Sequence, residues 1–142
     1  VGNLSDNGQV MAGLARMDTK IEAGTATSQG AVINWSPKLT LTAWTTYHLQ
    51  QTGLTLGAGA RHVSIQRRQA SNVPNATINM PEMDGYTVFD AMAVYDINRH
   101  FSVQLNLYNL TDKFYLASMN NAGNRYTLGT PRSVMLTGIV RF

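Results

Sequence analysis

The sequence predicts an all-β protein, an antiparallel up-and-down sheet of the transmembrane β-barrel type. Three observations predict it. Apolar and polar residues alternate with a period of two along most of the chain. Short and long connections between these runs alternate strictly. Aromatic residues gather at the short-turn ends.

The elements follow in chain order. Val1-Gly2-Asn3 reads as the tail of an earlier strand. The run 9–21 has the poorest alternation and still reads as strand. In 38–50, Leu39, Leu41, Ala43, Thr45, Tyr47 and Leu49 share a face. In 54–66, Leu54, Leu56, Ala58 and Ala60 alternate with Thr55, Gly57, Gly59 and Arg61. In 86–97, Phe89, Ala91, Ala93, Tyr95 and Ile97 oppose Val88, Asp90, Met92, Val94 and Asp96. In 101–112, Phe101, Val103, Leu105 and Leu107 oppose Ser102, Gln104, Asn106 and Tyr108. The last run, 131–142, sets Val134, Leu136, Gly138, Val140 and Phe142 against Ser133, Met135, Thr137, Ile139 and Arg141.

The connections sort by length. Those around 5–8, 50–53 and 98–100 are short, and those at about 22–37, 67–85 and 113–130 are long. A barrel with short periplasmic turns and long extracellular loops produces this order, whereas a soluble sandwich has no reason to. The apolar sets of 54–66 and 101–112 then face lipid. Tyr47, Tyr95, Phe101 and Phe142 form an interfacial girdle at the short-turn end. Thr55, Arg61, Asp90, Asp96, Gln104, Asn106 and Arg141 face a wet or plugged lumen, where charge is tolerated.

Composition is compatible. The 142 residues suffice for one domain, and the absence of cysteine excludes disulfides and thiolate metal sites. Charged residues make up 13% and apolar residues 44%, which is not the balance of a disordered chain. The net charge of +3 comes without a long basic run, so it suits an anionic membrane surface or ligand, and no nucleic-acid partner is expected. No apolar stretch approaches the ~18 residues of a membrane helix, but barrel strands need only about 9–11. The chain begins at Val1 and reads as a mature chain or a fragment.

The stretch "GYTVFDAMAVYDINRHFSVQLNLYNLTDKFY" resembles the C-terminal barrel of TonB-dependent outer-membrane receptors. "LGTPRSVMLTGIVRF" is similar to that family's last strand, and "SPKLTLTAWTTYHL" and "GLTLGAGARHV" also resemble it. "WTTY" suggests the siderophore-receptor branch, of catecholate type. The resemblance implies energy-dependent uptake of a ferric siderophore across the bacterial outer membrane. It also implies four partners: the rest of the barrel, an N-terminal plug, the outer-membrane insertion machinery and the inner-membrane energy-coupling complex. Against roughly 22 family strands, six or seven are present here. Residues 1–142 are therefore expected to be an incomplete barrel, its last six to seven strands, with the plug domain absent and no transport by the chain alone. A small structural or porin-like barrel is the alternative, and a soluble β-sandwich module the third reading.

Individual residues carry further expectations. Asn-x-Ser/Thr occurs at Asn3, Asn75 and Asn109, but a bacterial-type barrel pattern without cysteine argues against glycosylation, and for Asn109 and Asp112 turn chemistry at a strand-end corner is favoured over ligand contact. Arg61, Arg67, Arg68 and Arg125 are candidate attractors of an anionic iron chelate, with a solvated loop base as the plainer reading. Tyr86, Tyr115 and Tyr126 sit at loop bases as interfacial anchors, and Trp35, Met80 and Met83 belong to the long loops. His48, His62 and His100 lack ligand spacing, so no metal site or cofactor is expected. No nucleophile elbow, phosphate loop or acid/base pair occurs, so no enzyme is expected. Phe142, with Val140 and Leu136 at every second or further even position behind it, fits a barrel-insertion signal.

Overall fold

The computed structural model describes residues 1–25, 29–68 and 82–142; Asn75 and Met80 lie outside the described residues. Eleven strands occur among them: β1 (Gly2–Ser5), β2 (Gly8–Arg16), β3 (Leu39–Leu49), β4 (Leu54–Val63), β5 (Gln66–Arg67), β6 (Glu82–Met83), β7 (Tyr86–Asp96), β8 (Phe101–Tyr108), β9 (Leu116–Met119), β10 (Tyr126–Leu128) and β11 (Ser133–Val140). Seven of them form one sheet in the order β1-β2-β3-β4-β7-β8-β11. Every neighbouring pair is antiparallel. The two remaining pairs, β5-β6 and β9-β10, are small hairpins within long connections. Among the described residues the sheet is open, with β1 and β11 at its edges.

Register turns the alternation of each strand into two continuous surfaces, because residues paired across an antiparallel ladder share a face. Val10, Thr45, Ala58, Ala91, Leu107 and Val134 lie level across six strands. The next row is Gly8, Tyr47, Leu56, Ala93, Leu105 and Leu136. This face is apolar, and it is open: Leu14 is 69% exposed and Leu136 70%. A soluble domain would cover such a surface with a second layer; a barrel wall gives it to lipid. The opposite face carries Gln9, Thr46, Gly57, Met92, Asn106 and Met135 in one row.

On that inner face Trp44 lies across β4. A side chain at Gly59 would overlap its ring, and a Cβ at Gly57 would come within 3.0 Å of Trp44 Cζ2 and 2.8 Å of Met92 Cγ. Glycine is required here by close approach, and the indole fills the space that two absent side chains leave. The principal apolar cluster is small: Val63, Tyr86, Val88 and Tyr115 pack together where the long connections begin.

The predicted strands are all present, with shifted ends. The first stops at Arg16 and not at 21, adding one more rung from the Met17 N–H to the Lys38 carbonyl (3.0 Å). Beyond it, Asp18-Thr19-Lys20 offers no apolar face to bury. The run 101–112 ends at Tyr108, because Asn109 (φ 49°) and Asp112 (φ 53°) turn the backbone into the left-handed region. The run 54–66 ends at Val63, and the last strand occupies Ser133–Val140 within 131–142. Gly2 and Asn3 of the predicted tail belong to β1, which pairs with β2 across a tight turn. The hairpins β5-β6 and β9-β10 were not anticipated. Their strands have two to four residues, too few for a period to register.

Candidate functional site

The long connections leave the sheet at one end, the extracellular end of a bacterial barrel. The candidate site is built there, from a corner, an aromatic stack and a rim. At the corner, the Asn109 N–H donates to Asp90 Oδ1 (2.8 Å), across the gap from β8 to β7. Its Nδ2 donates to the carbonyls of Lys113 (2.9 Å) and Thr130 (3.0 Å), and its Oδ1 accepts the Lys113 N–H (2.9 Å). One side chain therefore joins the start of the 109–132 connection to its end. Asp112 adds a second tie, accepting the Arg132 N–H at Oδ1 (3.1 Å) and facing its guanidinium at 3.5 Å. Asn suits this place because its short amide both tolerates positive φ and bonds nearby backbone.

Just beyond, Tyr115 stacks on Tyr86 with centroids 4.1 Å apart. Its ring lies against Gly129, where a side chain would collide with it, and the Gly129 N–H donates to the Tyr115 carbonyl (2.8 Å). Arg61, on the inner face, reaches the Tyr115 hydroxyl at 3.4 Å. A cavity of about 380 Å³ opens beside the stack, lined by Glu82, Met83, Asp84, Lys113, Phe114 and Tyr126 among others. Met83 is buried and Phe114 exposed.

The rim joins the connections to one another. Trp35 donates its backbone N–H to the Arg67 carbonyl (3.0 Å) and its indole N–H to the Asn120 carbonyl (2.8 Å). Arg68 donates to the Ala122 carbonyl (2.9 Å), and Arg67 pairs with Glu82 at 3.2 Å. The Arg125 N–H donates to Asn120 Oδ1 (3.1 Å), bracing the turn between β9 and β10.

The four arginines therefore do not stand as one free cluster. Arg61, Arg67 and Arg68 each have a protein partner. Arg61, Arg67 and Arg125 remain exposed, and Arg68 is half-buried. At the opposite end, Ser102 Oγ donates to Asp96 Oδ1 (2.6 Å), and Arg141 reaches Ser102 Oγ (3.2 Å) and Asp96 (3.7 Å). Leu136 and Val140 lie on the outer face opposite Leu105 and Phe101, and Phe142 is exposed beyond β11. His48, His62 and His100 bond separately, to Thr55 (2.9 Å), Thr87 (2.9 Å) and the Arg141 carbonyl (3.1 Å). Among the described residues, no group of three or more His, Cys, Asp or Glu could hold a metal ion. Two residues matter more than their sequence context suggested. Asp90 receives the corner, and its position on the inner face, four residues from the start of β7, hinted at no partner. Trp35 joins three connections through main-chain carbonyls, which leave no side-chain signature.

The family profile for TonB-dependent receptor-like β-barrels matches residues 5–110. The chain belongs to this family. Its barrel is therefore an outer-membrane one, in a family of receptors and not of enzymes. The catecholate siderophore receptor Fiu of Escherichia coli K12 is 32% identical over 144 aligned residues, covering 99% of this chain and 18% of Fiu. The probable TonB-dependent receptor BfrD of Bordetella pertussis is 36% identical over 140 residues, covering 96% of this chain and 19% of BfrD. In three dimensions, the closed-form crystal structure of the ferric-catecholate import receptor Fiu matches with a TM-score of 0.85 at 33% identity, covering 99% of this chain and 20% of that one. The TonB-dependent receptor segment thus spans about a fifth of the relatives it matches.

Proposed function

We propose that residues 1–142 are the C-terminal part of the barrel of a TonB-dependent receptor that takes up a ferric siderophore, of catecholate type. The observation that carries this reading is the continuous match to Fiu along 99% of the chain, on a sheet with one apolar and one polar face. In this reading the plug domain and the earlier strands come from elsewhere in the receptor. The earlier strands pair with the edges at β1 and β11, whose backbone groups lipid cannot satisfy. A porin-like barrel closed by this chain is disfavoured, because closure takes at least about eight strands and the sheet has seven among the described residues. The further partners are the inner-membrane energy-coupling complex, acting through the plug, and the insertion machinery, which reads Phe142, Val140 and Leu136.

Arg61, Arg67, Arg68 and Arg125 supply positive potential at the mouth for an anionic chelate. Arg125 is exposed, whereas the charge of exposed Arg67 is offset by Glu82 at 3.2 Å. The test is uptake of a ferric catecholate by cells that depend on the complete receptor bearing this segment. Uptake should be saturable and should stop when the inner membrane is de-energised. Uptake that persists without energisation, or a receptor inert towards every ferric catecholate offered, contradicts the reading.

A further inference from the structure

Trp35 has φ 59°. This is the left-handed region, where a bulky aromatic is an outlier and persists only when its surroundings over-determine it. Its surroundings here are two hydrogen bonds to different connections: its N–H to the Arg67 carbonyl (3.0 Å) and its Nε1–H to the Asn120 carbonyl (2.8 Å), 85 residues away. The receiving turn is braced from within. Asn120 Oδ1 accepts the N–H groups of Asn124 and Arg125 (3.1 Å each), and the Asn120 N–H donates to the Arg125 carbonyl (3.0 Å). Arg68 grips the same turn at Ala122 (2.9 Å). At its other end this connection is closed by Asn109 and by Tyr115 against Gly129.

We propose that Trp35 is a positioning residue. It clasps segments 29–38, 64–68 and 119–126 into one body, and so fixes Arg67, Arg68 and Arg125 relative to one another at the mouth. Phenylalanine has the ring but no N–H donor, so the reach to Asn120 is what tryptophan adds. The inference rests on the receptor reading for its ligand, but not for the clasp itself.

The experiment uses the complete receptor, with nitroxides on cysteines at Ile33 and Asn121, and measures the distance between them. The parent should give one narrow distribution. Trp35→Phe and Arg68→Ala should each add a longer-distance population, and the double variant a larger one. Release of a ferric catecholate should quicken about twofold to tenfold in Trp35→Phe, the worth of one hydrogen bond. Heat-modifiable gel mobility checks that each barrel is folded. Unchanged distances in Trp35→Phe, Arg68→Ala and the double variant overturn the clasp, and they do so even if release quickens. New distances in a receptor that binds no ferric catecholate uphold the clasp and overturn the ligand reading instead.

Discussion

Asn109 satisfies three backbone groups with one amide, and it is 2% exposed. That burial leaves no room for a glycan, although the Asn-Leu-Thr pattern is intact. Replacing Asn109 with Ala strands the Lys113 N–H and two carbonyls and leaves at φ 49° a residue less tolerant of left-handed backbone than asparagine. The expected loss is on the order of 3 kcal/mol, read as a lower urea midpoint for the folded receptor. Asn109→Asp should also destabilise, because the Nδ2 donors vanish and a second carboxylate enters beside Asp90. An unchanged midpoint in both variants would remove Asn109 as the corner's keystone. The residue types of this corner were legible in the sequence, since Asn and Asp at a strand end signal a turn. Trp35 was not legible as a clasp. Its bonds go to main-chain carbonyls far along the chain, and a carbonyl looks the same whatever side chain it carries.

Strands were legible because one face meets lipid. A buried or lipid-facing side imposes period two on sequence, and in β8 that period runs unbroken. Where no such face exists, the signal fails. The first strand's predicted extension past Arg16 and the unanticipated hairpins β5-β6 and β9-β10 are both cases of this. Packing between strands adds a test at this scale. Gly59 and Trp44 pair directly on the inner face, and the indole occupies the place of a Gly59 side chain. Gly59→Ala should destabilise by about 1–3 kcal/mol through overpacking, and adding Trp44→Leu should recover part of that loss. If the double variant is no better than Gly59→Ala alone, the glycine is needed for some other reason. At the chain's end, Phe142→Ala should lower the amount of receptor reaching the outer membrane without lowering the thermal stability of what is inserted. Normal surface levels would discard Phe142 as an insertion signal.

For the whole molecule, the central claim is that the sheet is a segment of barrel wall with lipid on one side and the lumen on the other. The family was legible from the order and spacing of strands and turns, since barrel geometry ties those together. The grouping of the arginines was not, because formal charge does not reveal that Arg67 has Glu82 and Arg68 has a carbonyl. A charge placed on each face separates the two environments. Leu105→Arg should cost about 2–4 kcal/mol of barrel stability, whereas Gln104→Arg, one residue earlier, should cost little. The most direct test is a nitroxide scan of β8, from Phe101 to Tyr108, in the complete receptor in bilayers. Accessibility to oxygen dissolved in lipid should peak at 101, 103, 105 and 107, and accessibility to a water-soluble nickel chelate should not peak at those positions. Equal exposure of neighbouring residues to both reagents, or oxygen peaks at 102, 104 and 106, would contradict the account.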